Sequence, residues 1–204
     1  MILSLFNNLN ISDKEVREGK WKREKNRGLE LQGKTVAIIG FGNNGSAFSN
    51  VLKGFGVTIL AYDKYLQNYA HKSSMNDIFK QADIISLHIP LTEETTYLID
   101  NHFLNNFEKD IYLINTARGK CANTKSIVTA LKSGKLKGAC LDVLEYEKTS
   151  FENLRENGFT TELQYLIDSE KTILSPHIAG WTKESNIKIV ELLLGKITSD
   201  FPQQ

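Results

Sequence analysis

The chain has 204 residues, 41% hydrophobic and 24% charged, proportions that support a buried core and exclude disorder, a collagen repeat or a disulfide-stapled mini-protein. Lys+Arg 25 against Asp+Glu 24 leaves a formal net charge of +1, so no overall field draws in nucleic acid or an anionic membrane. The opening MILSLFNNLN breaks into asparagines after one short apolar run, unlike a secretory leader or a membrane span, and a cytoplasmic protein is expected.

In chain order, residues 2 to about 24 carry Leu3, Leu5, Phe6, Leu9 and Val16 at helical spacing and predict an amphipathic helix. From about Thr35 onward six short apolar or β-branched runs follow: TVAIIG, VTILAYD, ADIISLHIP, DIYLINTA, KGACLDV and KTILSPH. Helix-length segments separate them. Strands apolar on both faces and alternating with helices predict a parallel sheet covered on both sides, an α/β fold of the doubly wound kind. A polar stretch over residues 148–170 delays the last strand and reads as a surface insertion with one or two short helices. Residues 183 to about 199, with Ile187, Val190, Leu193, Leu194 and Ile197, predict a closing amphipathic helix. No repeat or Pro/Gly-rich linker divides the chain, so one compact domain over 30–182 is expected, preceded by a helix and linker (1–29) and followed by a helix (183–204). Cys121 and Cys140 lie apart without a CxxC or paired histidines, which predicts reduced thiols and no metal site.

GFGNNG, with Gly40, Gly42 and Gly45, directly follows the strand KTVAII and precedes the helical run SAFSNVLKGF. In that setting the first glycine permits a tight turn, the second admits a pyrophosphate against the backbone, and the third lets helix pack on strand. Backbone N–H groups at Asn43, Asn44 and Gly45 would then hold the phosphates at the positive end of the helix. Asp63 closes the next strand, where a carboxylate receives the adenosine ribose hydroxyls and repels the extra phosphate of NADP. Lys64 beside it weakens that exclusion, and NAD is the expected cofactor of this Rossmann fold.

Ligands on such sheets sit beyond the carboxyl ends of the strands. Arg118 follows DIYLINTA, Asp142 and Glu147 follow KGACL, and His177 follows TILSP. With these in place, GFGNNG and Asp63, SLHIPLTEETTYLI, INTARG, LDVLEYE and SPHIAGWT resemble, in order and spacing, the D-isomer-specific 2-hydroxyacid dehydrogenases, most closely their phosphoglycerate dehydrogenase branch. The resemblance implies that Arg118 grips a substrate carboxylate, His177 is the acid/base at the C2 oxygen, and Glu147 orients His177. A guanidinium is a planar two-pronged donor to carboxylate, and an imidazole can exchange a proton near neutral pH. It further implies that Asp142 receives the nicotinamide carboxamide and that His88, Pro90, Thr95, Asn115, Thr116, Ala117 and Gly180 line the cofactor groove.

The implied function is hydride transfer between NAD and a D-2-hydroxy acid, D-3-phosphoglycerate first and glycerate or hydroxypyruvate next. A non-catalytic NAD-binding or interaction module is the alternative. Three departures from the family pattern stand out. Lys148 replaces a usual proline after Glu147, which leaves Glu145 as a second candidate. Asn44 occupies a commonly apolar place. The chain also begins where the family has a helix joining two domains, without the preceding substrate domain, so dinucleotide binding with weak or absent turnover is expected. A homodimer is implied, with the segment around Trp21 reaching across to the second copy.

Overall fold

The computed structural model describes residues 1–147 and 159–200. Its N-terminus is two helices rather than one: α1 (Ile2–Phe6) and α2 (Leu9–Arg17) part at Asn8, whose φ of 50° is left-handed and ends the helical ladder. The first of them is not a detached linker. Phe6 is 2% exposed and its ring centroid lies 4.7 Å from that of Tyr112, so α1 belongs to the core of the expected 30–182 unit.

The rest alternates as the periodicity predicts: β1 (Thr35–Ile39), α3 (Asn43–Leu52), β2 (Thr58–Tyr62), α4 (Met75–Gln81), β3 (Ile84–Leu87), α5 (Asn101–Asn105), β4 (Ile111–Asn115), α6 (Thr124–Ser133), β5 (Leu136–Leu141), α7 (Thr161–Asp168), β6 (Thr172–Leu174) and α8 (Lys183–Asp200). The six strands form one sheet in the order β2-β1-β3-β4-β5-β6, and every pairing is parallel. Side chains alternate between its faces. Val36 and Ile38 of β1 pack with Leu5, Phe6 and Leu52 on one side, and Ala37 and Ile39 pack with Ile78, Leu104 and Leu131 on the other. Each fully buried Ile or Leu contributes about 1.5–3 kcal/mol, and the two apolar layers are what make both faces of the sheet hydrophobic in sequence.

The chain leaves β1 toward β2 on one side and returns to β3 on the other, so the loops after β1 and β3 are neighbours at the point where the winding reverses. That reversal positions the site. Two expectations change. A short helix expected within 148–170 is present as α7, but its Leu163 and Leu166 are buried and anchor it on the core, while residues 148–158, including Lys148, lie outside the described residues. The helix expected at 183–199 is present as α8, but Ile187, Val190, Leu193, Leu194 and Ile197 are each more than half exposed.

Candidate active site

Gly40 leaves β1 with φ +90°, and its N–H donates to Tyr62 O at 2.8 Å. A Cβ there would sit 2.5 Å from His88 O, and one at Gly45 would sit 2.1 Å from Gly40 O, so both glycines are fixed by backbone packing at the reversal point. Gly42 differs. A Cβ on it meets no atom within 4 Å, and it stands as the N-cap of α3 without a side-chain hydrogen bond. The open space and the uncapped first turn beginning at Asn43 fit a dinucleotide pyrophosphate. Asp63 closes the same corner: Oδ2 accepts from Phe41 N at 2.8 Å, and Oδ1 accepts from Tyr65 N at 2.9 Å and Leu66 N at 3.0 Å. Burial opposes ionisation of Asp63, but these three N–H groups prevail and hold its carboxyl below the usual range.

Beside this turn a cavity of about 630 Å³ is lined by Asn44, Ala47, His88, Ile89, Pro90, Leu91, Thr116, Ala117, Arg118, Ala179 and Gly180. A second, of about 770 Å³, is lined by Leu91, Arg118, Gly119, Lys120, Leu144, Glu145, Glu147, Pro176, His177, Ile178 and Trp181. Arg118 and Leu91 belong to both. The first cavity therefore gathers the expected groove residues His88, Pro90, Thr116, Ala117 and Gly180, and the second gathers Arg118, Glu147 and His177 from the ends of β4, β5 and β6. His177 Nδ1 lies 3.2 Å from Glu147 Oε2, and both side chains are partly open to solvent. His177 has φ 57°, and its N–H donates to Asp142 O at 2.7 Å, so the backbone turns sharply to aim the ring at Glu147.

The two carboxylates left open by the sequence are told apart here. Glu145 accepts from Tyr97 OH at 2.8 Å and from Thr124 N at 2.9 Å, tying the turn after β3 to the start of α6, while Glu147 takes the histidine. Asp142 is bound into the local backbone. It is 2% exposed, and its carboxylate accepts from Ser175 Oγ, from Ile178 N at 2.9 Å and from Ala179 N at 2.8 Å. These bonds hold the turn that carries His177. Asn115 is likewise turned inward: Oδ1 accepts from Ala117 N at 3.1 Å and Nδ2 donates to Arg118 O at 3.1 Å, bracketing the arginine. Thr95 closes its own turn, donating to Pro90 O at 2.7 Å and accepting from Thr92 N at 2.8 Å, and lines neither cavity. Sequence reasoning missed Gly119, where a Cβ would come within 2.0 Å of Leu144 O. Only glycine lets the Arg118 loop seat against the loop leading to Glu147.

A third groove, of about 740 Å³, lies between α2 and the β6 edge; Lys22 and Lys25 there pair with Glu15, and Lys25 also with Glu170. It touches none of the residues above. No helix among the described residues is long and apolar enough to cross a membrane.

Residues 1–179 match the family profile described as D-isomer specific 2-hydroxyacid dehydrogenase, NAD binding domain. The chain is 37% identical over 188 residues to 2-hydroxyacid dehydrogenase A of Aspergillus oryzae, covering 89% of this chain and 54% of that protein. It is 35% identical over 204 residues to a glyoxylate reductase of Thermofilum pendens, covering 94% and 57%. It thus spans a little over half the length of these relatives. The crystal structure of D-lactate dehydrogenase from Aquifex aeolicus complexed with NAD and lactic acid superposes with a TM-score of 0.84 at 30% identity, covering 97% of this chain and 62% of that one.

Proposed function

Because this chain belongs to the D-isomer specific 2-hydroxyacid dehydrogenases, as their NAD-binding domain, we propose that it serves the reversible reduction of a small 2-keto acid to a D-2-hydroxy acid. The observation that carries the reading is the His177–Glu147 pair at 3.2 Å on a cavity that meets the glycine-turn groove at Arg118.

The backbone from Gly42 to Gly45 and Asp63 would hold the dinucleotide, with His88, Pro90, Thr116, Ala117 and Gly180 along its groove. When bound, the cofactor supplies or takes up the hydride. Arg118, on the wall shared by the two cavities, offers a planar fork to the substrate carboxylate and so fixes the α-carbon between them. Glu147 engages Nδ1 of His177, which assigns proton exchange with the C2 oxygen to Nε2. The buried Asp142 holds the turn beneath that ring.

The sequence put D-3-phosphoglycerate first. Leu91, Leu144, Ile178 and Trp181 on the wall beside His177 instead favour a short uncharged acyl chain, as in glyoxylate or pyruvate, in keeping with the names of the relatives. Lys120 on the same wall keeps phosphorylated acids in the test. A homodimer belongs to the same reading, supported by Trp21 at 82% exposure and by the uncovered side of α8; light scattering of a monodisperse monomer would remove it.

The test is NADH binding, read by Trp181 fluorescence in a Trp21→Phe background, followed by reduction of glyoxylate, pyruvate, hydroxypyruvate and phosphohydroxypyruvate. His177→Ala is expected to keep NADH binding and to lower turnover by about 10²–10⁴-fold. Turnover indifferent to His177→Ala removes the acid/base assignment, and an absence of NADH binding removes the reading altogether.

A further inference from the structure

Lys64 is the residue the sequence left unresolved, since a cation beside Asp63 is what an NADP site uses to hold a 2′-phosphate. The structure shows where that charge goes. Lys64 Nζ is ion-paired with Glu94 Oε1, and Glu94 Oε2 accepts from Tyr65 OH at 2.7 Å. Both oxygens of one carboxylate are thus taken by the two residues that follow Asp63. Lys72, the other lysine of the loop after β2, donates to Gln67 O at 2.8 Å.

Glu94 does not reach Lys64 from a loose strand of chain. It sits in the turn after β3, where Thr96 N donates to Thr92 O at 2.9 Å and Thr95 Oγ1 donates to Pro90 O at 2.7 Å. The turn after β3 and the loop after β2 flank the loop after β1, because β1 stands between β2 and β3 in the sheet. The Lys64–Glu94 bridge therefore spans the corner at which the adenosine end of a dinucleotide lies when its pyrophosphate is at Gly42.

We propose that Glu94 is a coenzyme-specificity residue: by occupying Lys64 it denies a cation to a 2′-phosphate and adds a second carboxylate to the repulsion from Asp63, selecting NAD over NADP. This rests on the reading that a dinucleotide lies over the glycine turn with its ribose at Asp63. A 2′-phosphate must either displace Glu94 from Lys64 or sit between two carboxylates, whereas an unphosphorylated ribose needs neither.

The test is calorimetric titration of NAD+ and NADP+, with 5′-ADP and 2′,5′-ADP as the minimal pair, on wild type, Glu94→Gln, Lys64→Met and the double variant. Both side chains are about half exposed, 55% for Lys64 and 47% for Glu94, so folding is expected to survive and is checked by circular dichroism. Glu94→Gln should raise the NADP+/NAD+ affinity ratio by about five-fold, the upper range for an exposed charge pair, and the gain should shrink at high salt. Adding Lys64→Met should take back most of that gain, leaving only the share due to the removed carboxylate. An unchanged ratio in Glu94→Gln, equal losses for both dinucleotides, or a gain undiminished without Lys64 overturns the proposal while leaving NAD binding intact. If wild type binds neither dinucleotide, the underlying reading falls, and the specificity role with it.

Discussion

His88, one residue beyond β3 on the wall of the glycine-turn groove, makes a pH-dependent prediction that needs no substrate. Burial holds its imidazole at about 4, against an ordinary 6.5. The ring is neutral in the fold, with Nε2 2.9 Å from Ser86 Oγ and its centroid 5.2 Å from that of Phe48. An unfolded chain binds a proton at this residue below pH 6.5, and the folded one does not until about 4, so the contribution is fully present above 6.5 and is lost as pH falls between the two values. At about 1.36 kcal/mol per pH unit the interval is worth about 3 kcal/mol, an upper figure because local opening can hydrate the ring. Urea unfolding from pH 7.5 to 4.5, on wild type and His88→Gln, isolates the effect. The wild type should lose stability more steeply than the variant below pH 6.5, by up to that amount at pH 4.5. Parallel curves for the two proteins would refute a neutral buried imidazole.

Gly42→Ala should separate binding from folding: its methyl meets no protein atom, so stability should change by less than about 0.5 kcal/mol while NADH affinity falls at least about ten-fold, and retained affinity would show that no pyrophosphate approaches there. Gly119→Ala should cost more than about 2 kcal/mol in chemical denaturation, because the new Cβ would meet Leu144 O at 2.0 Å; a neutral result would mean the Arg118 loop is not seated as described. Cys121 and Cys140 are buried, and burial raises both thiols, Cys140 to about 12, so a disulfide reagent at pH 8 should label neither in the native protein and both in denaturant. Fast native labelling of Cys140 would contradict its place on β5.

All six strands were legible because each is an apolar run sealed on both faces, a signal that depends on no distant contact. The glycine turn was legible for a similar reason, since its spacing is tied to a strand before it and a helix after it. The N-terminal helix was misjudged at Asn8, where one left-handed residue splits a run whose apolar spacing continues across the break. α7 was misjudged because its apolar residues, Leu163 and Leu166, are diluted by polar neighbours, although Thr160 caps it by accepting from Leu163 N at 3.2 Å. Within the site, residue type and position at a strand end identified the groups that surround the two cavities. They did not show which of those groups also bond the local backbone. Asp142, Asn115 and Thr95, read as lining the cofactor groove, and Glu145, read as a second candidate for the place of Glu147, all bond nearby N–H, C=O or hydroxyl groups. Such local bonds depend on loop conformation, for which sequence carries no period.

Those local bonds explain how a half-buried pair such as His177 and Glu147 keeps one geometry. Neither is fully buried, and an ion pair open to water by itself fixes little. The constraint comes from beneath. Asp142 grips three donors from residues 175–179, Glu145 ties the loop before Glu147 to α6, and Asn115 brackets Arg118 from β4. Each of these polar groups stands one or more residues away in sequence from the side chain it supports, and Asp142 and Asn115 are buried where water competes least. The side chains that face the cavities can therefore remain open to an incoming acid while hydrogen bonds hold the backbone that carries them, a division of labour that a parallel sheet permits because its strand ends all arrive at one edge.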